Sequence, residues 1–125
     1  MRIAHLFTGD DGRSHFEDVE LRLDFGQLRD RTPLLPVDGI DFRRSAERSD
    51  TVRFHNVSRR QFVVTLEGVL EVECGDGTKR RFTAGDVFFA EDRTGEGHSS
   101  RHVEGVRRSL VIPVADDFDF KALLD

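Results

Sequence analysis

Apolar positions along this chain come in short runs or in strict alternation with polar ones, and glycines punctuate them. Between Thr51 and Val114 the runs Phe62 to Leu66, Val69 to Val72, Val87 to Ala90 and Ser109 to Val114 are separated by Glu67-Gly68, Gly75-Asp76-Gly77 and Ala84-Gly85-Asp86. Strands of this length with turn signals roughly every eight to twelve residues predict an antiparallel sandwich or barrel. The expected architecture is all-β.

Taken in order, residues 1–7 alternate well enough for an edge strand, and Thr8 to Arg13 is a turn cluster. Ser14 to Asp24 alternates strictly from Val19 onward and predicts a half-buried strand. Residues 26–39 carry Pro33 and Pro36, which forbid a central strand and predict a surface crossing, either a flap over a barrel mouth or a dimer contact through Leu34, Leu35 and Val37. Ile40 to Arg44 reads as a short strand followed by the charged turn Ser45 to Asp50. Thr51 to His55 reads as a strand with Val52 and Phe54 on one face, Arg53 and His55 on the other.

Gln61 to Glu67 and Val69 to Cys74 read as two strands joined by a tight turn at Gly68. Gly75-Asp76-Gly77 is a strong hairpin signal into a polar strand, Thr78 to Thr83. The run Val87 to Ala90 is apolar at every position and should be buried on both faces. His98, Ser100 and His102 share one face of the next strand. A turn at Gly105 then leads to a last strand, Ser109 to Val114, and Ala115 to Asp125 predicts a short C-terminal helix with Asp116 or Asp117 near its N-cap.

Composition narrows this picture. The 125 residues suit one domain, 1–125, and no apolar run approaches the ~20 residues that a membrane helix needs. No signal-peptide h-region opens the chain, and Cys74 is the single cysteine, so a cytoplasmic protein without an internal disulfide is expected. A net charge of −5 opposes nucleic acid as a partner. The pairs Arg43-Arg44, Arg59-Arg60, Arg80-Arg81 and Arg107-Arg108 read as solvated strand ends, with Arg60 the exception to watch because it adjoins a candidate ligand segment. Eleven Phe with neither Tyr nor Trp predict bulky burial without polar tips and leave no Tyr as a general acid.

The two histidine-bearing segments that flank the central hairpins resemble the signatures of the cupin superfamily. The first family segment is Gly, five residues, His-x-His, three or four residues, Glu, six residues, Gly. Here His55 falls at the first His, Val57 at the second, Gln61 at the Glu and Gly68 at the closing Gly, while the leading Gly is absent. The second is Gly, five residues, Pro-x-Gly, two residues, His, three residues, Asn. Gly85 opens it, Gly95 stands at the required spacing from His98, His102 takes the Asn position, the Pro is missing, and the gap from Gly85 to Gly95 is longer by two. The chain looks like the small single-domain bacterial cupins.

That resemblance implies a double-stranded β-helix, or jelly-roll barrel, a small-molecule ligand at the barrel mouth, and a homodimer. Metal-dependent cupins hold Fe, Mn, Ni or Zn with three His and one Glu. The set that remains here is His55, Gln61 and His98, since Val57 cannot ligate and an amide oxygen is a poorer donor than a carboxylate. His102 lies four residues beyond His98, roughly 13 Å along an extended strand at ~3.3 Å per residue, which is too far to share one ion. His98 or His102 would move a proton, and Arg60, Ser100 and His102 would line the substrate pocket. Two functions are therefore carried forward. One is a metal-assisted oxygenase, isomerase or cyclase; the other is a metal-free binding, sensor or accessory protein.

Overall fold

The computed structural model describes residues 1–25, 28–45 and 53–125, residue 25 by its backbone alone. Val52 and most of the charged turn expected after Ser45 fall outside the described residues. Among the described residues nine strands follow one another: β1 (Arg2–Thr8), β2 (Ser14–Glu20), β3 (Asp24–Phe25), β4 (Asp30–Arg31), β5 (Asp41–Ser45), β6 (Gln61–Cys74), β7 (Lys79–Phe82), β8 (Val87–Ala90) and β9 (His98–Pro113). One sheet runs in the order β2-β1-β8-β6-β9-β5, with β7 also on β6, and β3 pairs with β4 alone. All pairings are antiparallel except β1 with β8. The chain folds as the all-β, jelly-roll barrel expected from its alternation and turns.

Two expected turns are absent because the strands they were to separate are continuous. Gln61–Cys74 and His98–Pro113 pair along their whole lengths, and the ladder between them shifts register between Thr65 and Leu70. Gly68 and Gly105 face each other at this irregularity with φ of 82° and 68°. A Cβ on Gly68 would come within 2.7 Å of the Val106 carbonyl oxygen, so only glycine lets the two backbones approach this closely. The pair forms a bulged bend. An alternating strand read through such a bend changes phase, which is why His98, Ser100 and His102 on one side and Arg107 and Val111 on the other all line the same cavity.

Burial divides into two layers. Inside the barrel, Ala4, Leu6, Val63, Leu70, Val72, Phe82, Phe88 and Val111 form one cluster with Cys74 and Val57. Outside the same sheet, Phe62 and Phe89 are covered by the chain after β9, which lays Val114, Phe118, Phe120 and Leu123 over them. The rings of Phe89 and Phe120 stack at 4.2 Å. The expectation for Val87 to Ala90 holds in detail, with Phe88 and Ala90 in the inner cluster and Phe89 in the outer one.

Other expectations change. β1 is not an edge strand but lies between β2 and β8, because Ile3 to Leu6 are buried at every position and need neighbours on both sides. The C-terminal helix is reduced to one 3-10 turn, Lys121–Leu123. Phe118 and Phe120 enter the outer layer two residues apart, a spacing that extended chain satisfies and a helix does not. From the strand expected at Thr51 to His55, the described part keeps only an isolated bridge between His55 and His98. Residues 33–38 do not cap the barrel mouth; they line a groove with Phe118, Ala122 and Leu123 on the outer side. Among the described residues no helix is long and apolar enough to cross a membrane.

Candidate functional site

The bridge between His55 and His98 begins the site. Each backbone N–H donates to the other's carbonyl, at 2.8 and 2.9 Å, and the two imidazoles come together with ring centroids 4.7 Å apart. Gly97 makes this approach feasible. Its φ is 74°, and a Cβ there would lie 2.1 Å from the His55 carbonyl oxygen. Residues about forty positions apart in the chain thus meet through backbone, which fixes the rings without relying on side-chain contact.

Each ring is then oriented through one nitrogen. His55 Nδ1 donates to the Arg53 carbonyl at 2.9 Å, which leaves Nε2 as its acceptor. His98 Nδ1 donates to Asp92 Oδ2 at 2.5 Å, and Asp92 is wholly buried. A buried carboxylate on Nδ1 fixes the tautomer and the ring orientation, leaving Nε2 as the acceptor. Asp92 is itself held by the neighbouring loop: Val57 N–H and the Asn56 amide both donate to its carbonyl, and the same amide also reaches the Thr94 and Gly95 carbonyls.

These groups open onto a cavity of about 380 Å³. His55, Gln61, His98, Ser100 and His102 line it, so five of the six site residues expected from the sequence are brought together. Its apolar walls are Val57, Val63, Leu70, Phe88 and Val111, and its cationic groups are Arg43 and Arg107. No Asp or Glu lines it among the described residues.

Arg60 is the sixth, and the structure places it elsewhere. On the outer side its Nε donates to Glu91 at 3.2 Å and its Nη1 to the carbonyls of Asp116 and Phe118, with the guanidinium 5.5 Å from the Phe89 ring centroid. Gln61 points into the barrel, so alternation sends Arg60 outward, where it clamps the C-terminal segment. The arginine pairs correct in the opposite sense as well. Arg107 is not a solvated strand end but a buried one, 6% exposed, whereas its neighbour Arg108 is exposed and paired with Glu67.

Asp92, Asn56 and Arg107 were not among the residues expected at the site. Two of them had a signal. Continuing the inward phase of Phe88 and Ala90 by two residues reaches Asp92, and stepping back from Val111 by four reaches Arg107. Asn56 had none, because its three carbonyl partners lie in a loop without periodicity. Cys74 is inert as expected: it is fully buried, and burial pushes its thiol up to about 12.

Two imidazoles and an amide oxygen suit a borderline divalent ion, and the bond from Asp92 orients His98 as metal-ligating histidines are commonly oriented. Val57 offers no donor, and among the described residues no cluster of three His, Cys, Asp or Glu is present. The donor set fits an ion that is loosely held and largely hydrated.

No family model matches the sequence, and a search of curated proteins finds no match. Solved structures with related strand arrangement include a Neisseria meningitidis protein, at 13% identity and a TM-score of 0.47 over 68% of this chain and 84% of the other. A cupin-2 domain-containing protein of Shewanella frigidimarina aligns at 10% identity and a TM-score of 0.44, covering 70% of this chain and 86% of its own. A Salmonella typhimurium protein assigned as ethanolamine utilization protein Q aligns at 16% identity and 0.43, covering 91% of this chain and 95% of its own. At these values the likeness adds no information about activity.

Proposed function

We propose that this protein binds a small organic molecule in the barrel cavity, with His98 as the group that accepts a hydrogen bond or a proton from it. The supporting observation is the bond from His98 Nδ1–H to the buried Asp92 carboxylate, which leaves Nε2 as the basic nitrogen of a ring that lines the cavity. Asp92 keeps the tautomer, His55 sets the ring's position through the backbone bridge, and Ser100 and Gln61 supply neutral polar contacts. The apolar wall from Phe88 and Val111 excludes water from one side. Heteronuclear NMR titration with a fragment library tests this reading. Hits should shift the signals of residues 55, 98, 100 and 102, and lose at least tenfold in affinity in His98→Ala. Hits that all map outside the cavity would remove it.

A second reading is favoured by the pairing of the His55 and His98 rings at 4.7 Å. A divalent ion held by His55, Gln61 and His98 would act as a Lewis acid on a bound carbonyl. In that case His102, farther along β9, is the remaining imidazole for proton transfer. Metal content per protomer, measured after purification without an affinity tag, should fall in His98→Ala. Equal, substoichiometric content in both proteins rules the reading out. We further propose a homodimer through the β5 edge, where Ile40 and Phe42 are exposed at 51% and 79%. Phe42→Asp should halve the mass seen by light scattering, and an unchanged mass would reject that contact.

A further inference from the structure

Arg107 lines the cavity, and the proposed role of His98 does not use it. It stands on β9 opposite Ser45, and Val111, four residues on along the strand, lines the same cavity. Its side chain is 6% exposed, yet no carboxylate pairs with it among the described residues. Nη2 donates to Thr65 Oγ1 at 3.3 Å, and Nε has no hydrogen-bond partner among the described residues. Ser109, two residues on, also has a buried hydroxyl without a partner among the described residues. A guanidinium removed from water is ordinarily paired, because desolvation of an uncompensated charge is costly.

The surroundings increase the imbalance. Burial first, and then the charge of Arg43, push the Arg107 pKa down, yet an arginine remains protonated throughout the physiological range. Arg43 is matched by Asp41, which accepts from its Nε at 2.7 Å and from its Nη2 at 3.2 Å. Asp92 lies behind His98, which donates to its Oδ2, while its buried Oδ1 has no partner among the described residues. In a chain whose net charge is −5, this cavity is lined by two arginines and three histidines with no acid among the described lining residues.

We propose that the cavity's ligand carries a carboxylate, which binds to the Arg107 guanidinium while the rest of the molecule reaches toward His98. This deepens the small-molecule reading above and rests on it. A planar fork with free N–H groups matches a carboxylate's two oxygens. Among the described residues one positive charge of the cavity is unmatched, which balances a monoanion, whereas a phosphate dianion would call for a second. The apolar walls formed by Val63, Leu70 and Phe88 then accommodate a short hydrocarbon body.

The test is an NMR titration of the full chain with small monocarboxylates from acetate to benzoate, each paired with its neutral primary amide, and with inorganic phosphate. The acids should bind at least tenfold more tightly than their amides, with shifts at residues 98, 107 and 109. Arg107→Met should abolish that preference and be no less stable than the parent without ligand, since it removes an unpaired charge. Arg107→Lys, which keeps the charge and loses the fork, is the second variant and should weaken the acids several-fold. Acids and amides that bind equally, or phosphate that binds better than every acid, would overturn the carboxylate assignment while leaving the cavity as a ligand site. Binding by none of the probes would overturn the assignment. Fragment hits mapping outside the cavity in the earlier titration would remove the small-molecule reading as well.

Discussion

Glu91 and Asp92 are consecutive at the end of β8, and each holds a histidine, but on opposite faces of the sheet. On the outer face His5 donates from Nδ1 to Glu17 at 2.8 Å and from Nε2 to Glu91 at 2.5 Å, stacked on Phe7 and tilted against Phe120, with Arg60 also on Glu91. Both ring nitrogens are used, and two cations face two carboxylates. On the inner face His98 bonds one carboxylate through one nitrogen and keeps the other for the cavity. Residue type is the same in both places. What separates the two histidines is whether the second nitrogen already has a carboxylate partner.

The most severe way to break this comparison is to remove the inner bridge alone. Gly97→Ala places a methyl group against the His55 carbonyl and forces a side chain at φ 74°. The cost should be about 2–4 kcal/mol in urea unfolding. The variant should lose cavity binding completely in NMR titration, while the His5 imidazole signals stay where they are. A His5 signal that moves as far as those of His98 would show that the two faces are not independent.

Asp92→Asn against Glu91→Gln sharpens the comparison at a smaller effect. The inner substitution leaves a buried amide opposite His98 and permits the other ring tautomer, so ligand affinity should fall at least tenfold, about 1.4 kcal/mol. The outer substitution should lower stability by about 1–3 kcal/mol, because His5 and Arg60 lose a charged partner, and leave affinity unchanged. Calorimetric titration and thermal unfolding on the pair check this; equal losses of affinity would erase the distinction.

Much of the barrel was legible because alternation reports faces directly. Phe88 and Phe89 are adjacent in sequence and lie in different layers, as an apolar run at every position requires. The site was legible where a side chain stood at motif spacing, as His55 and His98 do. It was illegible at Gly68 and Gly105, where a glycine that bends a continuous strand looks in sequence like one that ends it. That misreading cut β9 in two and hid Arg107, whose inward direction follows from Val111 only if the strand runs through. Arg60 was misplaced for the converse reason, since nearness in sequence to a ligand position says nothing about face on a strand.

The smallest effect concerns pH and belongs to the outer face. Burial favours neutral His5, but the hydrogen bonds and charges of Glu91 and Glu17 outweigh it, and the His5 pKa is raised above its ordinary 6.5. A raised folded value means that the pair's contribution is present in full below about pH 6.5 and is lost as pH rises through the folded value. Glu91 is lowered, burial notwithstanding, by His5 and then Arg60, so its own contribution fades only in acid, below the ordinary carboxylate range. Urea unfolding between pH 6 and 9 should therefore show stability declining with pH in the parent. His5→Gln should flatten that decline without affecting cavity binding. A decline that persists unchanged in His5→Gln would assign the titration to another group, and the outer histidine would lose its charged role.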